Sequence, residues 1–170
     1  MRVESSVLIK ATAEKVFEFV AAPENGPRWQ EGAVSTRVTT PGPVRLGSEA
    51  EHVGRWLGMR IPTHGVVTVF EPGSAFGYDL TTAMSPGPAL MRYSLEGLTG
   101  GTKLTLSDER PLPLFMRPFA PLLRRTVQGM FDRDVRRLRD VIESETDAGS
   151  LVPPSPAQGD DLLLPVPYHW

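Results

Sequence analysis

Few residues in this chain could do chemistry. It has three histidines, His52, His64 and His169, and no cysteine, which removes disulfides, thiolate nucleophiles and thiolate metal sites. An imidazole titrates near neutrality and moves protons well when it is held in place. His52 and His64 lie in stretches of alternating apolar character, and Asp108 continues the face of Leu104 and Leu106. A carboxylate arriving on an apolar side is pushed toward its acid form if it finds no partner, although Arg110 stands close enough in sequence to hydrogen-bond it. His52, His64 and Asp108 are therefore the candidate catalytic groups, and the hydroxyls of Tyr78 and Tyr93 are suited to hydrogen-bonding a ligand. Each also has a plainer reading as a surface group, a satisfied core group or a wall residue. No GxSxG elbow, HExxH or Walker loop is present, and the histidines lack a paired ligand spacing, so neither a metal nor another cofactor is expected.

The elements that must carry these groups follow from periodicity. Val3, Val7 and Ile9 alternate with polar residues as a first strand. Thr12 caps a helix whose apolar residues are Val16, Phe17, Phe19 and Val20, with Glu14 in its first turn. It stops before Pro23, and Glu24 to Trp29 reads as a second short helix or turn. Short strands follow over 34–40, 48–56, 60–71, 76–82, 90–96 and 103–108, separated by Gly and Pro, with Pro62 breaking the third of them and Gly100-Gly101 marking a hairpin. Their alternation fits an antiparallel sheet with one buried face.

From Phe119 to Ser144 apolar residues recur at spacings of three and four, among them Phe119, Leu122, Leu123, Val127, Met130, Phe131, Val135, Leu138 and Ile142. That pattern predicts a long amphipathic helix whose apolar face is buried and whose arginines are solvated. The expected fold is thus α+β, a curved antiparallel sheet of about seven strands wrapped round one C-terminal helix. Residues 1–145 form the expected domain, and 146–170 a tail. The tail is rich in Gly, Ser, Pro and Asp as far as Asp161 and reads as flexible there, but it ends in the apolar run LLLPVPYHW.

The order strand, two helices, strands, long helix resembles the START-like or SRPBCC superfamily, the helix-grip fold of the birch pollen allergen. The resemblance rests on the opening VLIKATAEKVFEFV, on Pro23-Glu24-Asn25 with Trp29, on Phe70-Glu71-Pro72, and on Gly101-Thr102-Lys103-Leu104. It covers about residues 3–144, and its nearest branch is the polyketide cyclase/dehydrase-like one. It implies a deep, mostly apolar cavity between sheet and helix. If Ala50 faces that cavity, so do His52 and Trp56. His64 would share a face with Val66, Thr68 and Phe70, unless Pro62 marks a bulge that resets the parity. Tyr78 goes with Phe76 and Leu80, and Tyr93 with Met91 and Leu95. From the helix, Val127, Met130 and Phe131 face the sheet. The expected lining is therefore Trp56, Phe70, Tyr78, Tyr93, Val127, Met130 and Phe131.

Eighteen Lys and Arg against 20 Asp and Glu give a formal charge of -2, so no overall basic field draws the chain to nucleic acid. No stretch is apolar enough for a membrane span, and a cytoplasmic protein is expected. Three readings of function follow. The first is a cavity that binds a hydrophobic small molecule, lipid- or polyketide-like. The second is a cyclase, aromatase or dehydratase acting on a chain held there. The third is a non-enzymatic interaction protein that uses its apolar tail to hold a partner or a second copy.

Overall fold

A computed structural model describes residues 1–56, 58–83 and 85–150. The side chain of Trp56 and the tail from residue 151 onward, with the partner role expected of it, lie outside the described residues. Seven antiparallel strands form one sheet in the order β1-β7-β6-β5-β4-β3-β2. The strands are β1 (Arg2–Ile9), β2 (Ala33–Val38), β3 (Glu49–Trp56), β4 (Met59–Glu71), β5 (Ala75–Thr81), β6 (Ala89–Leu98) and β7 (Gly101–Glu109). After β1 the chain crosses through two helices, α1 (Ala13–Val20) and α2 (Gly26–Trp29), to the far edge, then returns strand by strand until β7 pairs with β1.

Local chemistry sets the crossing. The Thr12 hydroxyl accepts from the Lys15 N–H at 3.4 Å, capping α1, whose Val16, Phe17, Phe19 and Val20 are buried. The Thr102 hydroxyl donates to the Ala11 carbonyl at 2.8 Å, tying the end of β1 to the start of β7. Beside it Gly101 has φ +157, and a Cβ there would come within 2.3 Å of the Ile9 carbonyl oxygen, so only glycine lets the two backbones approach this closely.

The long helix α3 (Ala120–Ser150) follows a 3-10 stretch, Leu114–Phe119. It lies along β1 and closes that edge by side-chain bonds. The Gln128 amide accepts from the Glu4 N–H at 3.4 Å and donates to the Glu4 carbonyl at 2.7 Å, while Glu143 accepts from the Lys10 N–H at 2.8 Å. Both backbone groups of Glu4 are thus answered within the chain, which shortens the template this edge offers another strand.

The helix departs from expectation at both ends. It runs to Ser150, through residues assigned to the tail, because a solvated helix needs no apolar residue to continue; Glu145 pairs with Arg28, and the Thr146 hydroxyl donates to the Ile142 carbonyl at 2.9 Å. At its start Phe119 and Leu122 retain 61% and 67% of their exposure, so the apolar face is not buried there. Pro62 does not break β4. It pairs with Val53 of β3 and lies beyond the last β4–β5 pair, His64 with Thr81, so β5 makes no demand on its missing N–H. Among the described residues no helix is long and apolar enough to cross a membrane.

Candidate functional site

The concave side of the sheet and the first half of α3 enclose a pocket of about 560 Å³. Its walls come from β2, β3, the start of β4, β5, β6, the segment 110–116 and α3 from Leu123 to Asp134. A second hollow of about 340 Å³, bounded by Lys15, Glu18 and Glu145 with Phe19, Ile142 and Thr146, lies between α1 and the far part of α3.

His52 and Tyr78 both face the pocket, with their rings 5.5 Å apart. Strand parity puts them there, since β3 buries Ala50 and β5 buries Phe76 and Tyr78 on the same side. The His52 Nδ1 is 3.1 Å from the Thr36 hydroxyl of β2, opposite it in register. Gly65 makes room for the ring, since a Cβ at that position would sit 2.8 Å from Nε2. Burial, reinforced by the charge of nearby His64, lowers the pKa of His52 and favours a neutral imidazole.

His64 is not in the pocket. Its side chain is half exposed and stands 3.9 Å from Glu49 on the outer face. The register shifts between Val67 and Val69, so the parity read back from Phe70 is inverted before the bulge; Ile61 and Thr63 face inward instead. Phe70 itself packs away from the pocket, edge-on to Phe17 at 5.3 Å and to Phe76 at 6.2 Å.

Asp108 is buried on the expected face but does not wall the pocket. Arg110 holds both its oxygens, Nε to Oδ1 at 2.7 Å and Nη2 to Oδ2 at 2.5 Å, so the buried carboxylate is occupied by a partly exposed guanidinium and is not presented to the pocket. Tyr93 lies beneath the wall. Its hydroxyl meets that of Tyr78 at 3.1 Å, donates to the Met91 sulfur at 3.3 Å and accepts from the Gln30 amide at 3.4 Å, while its ring stands edge-on to Trp29. Burial pushes the Tyr78 phenol up to about 12, and burial with the neighbouring Tyr78 pushes Tyr93 well above its ordinary value. Tyr78 is therefore a proton-bearing hydrogen-bond donor at neutral pH.

From α3, Val127, Met130 and Phe131 reach the pocket as expected. So does Asp134, which sequence reading passed over. It is 5% exposed and accepts from the Glu31 N–H at 2.9 Å. Burial raises its pKa to about 6, against the lowering effect of that hydrogen bond. Its signal was positional: four residues after Met130 and three after Phe131, it is a carboxylate on the apolar stripe of the helix. Among the described residues no group of His, Asp or Glu is placed to hold a metal ion.

The same architecture recurs in solved structures. A di-domain aromatase/cyclase, StfQ from the steffimycin biosynthetic pathway, matches with a TM-score of 0.69 at 11% identity, covering 86% of this chain and 51% of that one. A START superfamily protein from Mycobacterium smegmatis matches with a TM-score of 0.61 at 15% identity, covering 86% and 97%. In sequence, the uncharacterized protein Rv2574 of Mycobacterium tuberculosis is 28% identical over 142 residues, 80% of this chain and 83% of that one. The fold is the helix-grip fold. Residues 1–143 match the family described as polyketide cyclase / dehydrase and lipid transport, and the chain belongs to that family.

Proposed function

We propose that this protein holds a hydrophobic small molecule, lipid- or polyketide-like, in the pocket between the sheet and α3. The observation that carries the reading is the composition of the walls: Val53, Ile61, Leu80, Met91, Leu106, Met130 and Phe131 belong to an apolar majority, while the polar lining, with His52 beside Tyr78, Asp134 on α3, and Arg55 and Arg110 among the rest, is the smaller share. Pockets of this size and make-up bind apolar ligands by burying most of their surface and use sparse polar groups to orient them. The family's association with lipid transport supports the same reading.

A second reading, turnover of a poly-β-ketone chain, is favoured by the three polar groups themselves. A neutral His52, steadied at Nδ1 by Thr36, is the group to take a proton from a carbon between two carbonyls. Tyr78 is protonated up to about pH 12, and by turning its O–H from the Tyr93 oxygen it becomes the donor for the resulting enolate oxygen. Asp134, titrating near 6, can return a proton at neutral pH. The likeness to an aromatase/cyclase supports this reading at the level of fold. His64 and Asp108 take no part in it.

Native mass spectrometry of the freshly purified protein, followed by solvent extraction, tests both. An unmodified lipid or pigment supports carriage, and a cyclised or dehydrated product supports turnover. Met130→Trp fills the pocket and should weaken binding of anilinonaphthalene sulfonate by on the order of tenfold. A chain that emerges empty and binds the dye equally well with and without that substitution would falsify the pocket as the binding site.

A further inference from the structure

The overall charge of -2 conceals a strongly one-sided segment. From Arg110 to Phe131 the chain contains no Asp or Glu but has four arginines, Arg110, Arg117, Arg124 and Arg125. Arg110 is committed to Asp108. The other three are exposed, and none takes part in an ion pair among the described residues. Set between them are four of the five most exposed large apolar side chains of the described residues: Leu114 and Phe115 at 76%, Leu122 at 67% and Phe119 at 61%. Contiguous apolar surface rimmed by like charges is costly in water and marks an interaction site. This patch also continues into the pocket, because Phe115 is at once exposed and part of the wall, together with Leu112, Met116 and Leu123.

We infer that the 3-10 stretch Leu114–Phe119 and the first turn of α3 dock on an anionic lipid surface. Charge complementarity selects that occupant: unpaired arginines meet lipid phosphates and carboxylates, while Leu114, Phe115, Phe119 and Leu122 enter the boundary between headgroups and acyl chains. Arginine stems lie along apolar surface with their heads in the polar layer, so the two kinds of side chain act in one plane. The pocket rim then opens onto the acyl region, and an apolar molecule passes between bilayer and pocket without crossing water. Only this last consequence rests on the ligand reading; the docking itself does not.

The test is co-sedimentation of the full chain with vesicles of phosphatidylcholine alone and of equimolar phosphatidylcholine and phosphatidylserine. Binding is expected to the anionic vesicles and to weaken with added salt. The pair Arg124→Gln and Arg125→Gln should lower partition into them by on the order of 30-fold. The pair Phe119→Asp and Leu122→Asp should abolish it. Both pairs lie outside the pocket wall, so the thermal midpoint should be unchanged. Met130→Trp, which blocks the pocket, should leave vesicle binding intact, and this separates failure of the docking surface from failure of the ligand reading. The proposal is overturned if anionic vesicles do not retain the protein, or if neither pair of substitutions matters. It is equally overturned if the apolar pair instead dissolves a dimer seen by light scattering while vesicles retain nothing. A photo-crosslinker in place of Phe119 that captures residues 162–170, again without vesicle binding, would assign the patch to the chain's own terminus and reject a lipid partner.

Discussion

The two halves of α3 are built from the same sequence pattern and meet different fates. From Val135 onward the apolar stripe is sealed: Val135, Leu138 and Ile142 keep between 0 and 3% of their exposure within the core that includes Val3, Ile9, Phe19 and Trp29. Toward its start the stripe opens. Val127 and Phe131 are buried, Met130 is partly so, and Leu122 stands in solvent. Helical spacing therefore identifies which residues share a face, but it does not say whether the sheet reaches far enough to cover them. The sealed half encodes the fold, and the open half leaves surface for a ligand.

Cutting into the sealed half should produce the largest effect. Leu138→Ala removes a fully buried side chain whose neighbours cannot collapse into the space, and should cost about 2–5 kcal/mol in denaturant unfolding. If the loss were below about 1 kcal/mol, the sealed half would have to be as loosely packed as the open one and the contrast would fail.

Asp134 sits at the border between the halves and should give the next largest effect, with a sign that depends on pH. Its folded pKa, about 6, lies above the ordinary carboxylate value of 3.8. The folded protein therefore holds a proton that the unfolded chain has released between these values, so stability falls as pH rises through that window. Above pH 6 the buried charge is a standing penalty. Asp134→Asn keeps an oxygen for the Glu31 N–H and removes the charge, so it should stabilise the protein by on the order of 2 kcal/mol well above pH 6 and by little near pH 4. Thermal melts of the two proteins across pH check this. Curves that stay parallel throughout would place Asp134 in water and return it to the solvated face.

Sequence and structure agree where alternation runs uninterrupted. His52 with Ala50, Tyr78 with Phe76, and Tyr93 with Met91 and Leu95 all keep the parity read from the residues. His64 was lost to one register shift at Val67–Val69, a place with no Gly or Pro to announce it, while the proline that drew suspicion, Pro62, is regular. A bulge is a property of the paired strands, and a single strand's residues carry only a weak trace of it. Asp108 shows a different limit: its face was legible, but whether a buried carboxylate works or is neutralised depends on where Arg110 reaches, two residues away across a strand end. Asp134 was legible in principle, as a polar residue on an apolar stripe. It was obscured by the acidic and basic residues on either side of it.

The smallest effect belongs to the open half, and its smallness is what makes it informative. Leu122 is 67% exposed, so Leu122→Ser removes almost no surface buried on folding and should change unfolding free energy by no more than about 0.5 kcal/mol. A leucine that does nothing for folding, placed beside Phe119, Arg124 and Arg125, is explained by what it meets outside the domain. If the substitution instead costs as much as Leu138→Ala, Leu122 must be covered in solution. The first turn of α3 would then belong to the sealed half, and the apolar pattern of the helix would need no partner beyond the chain itself.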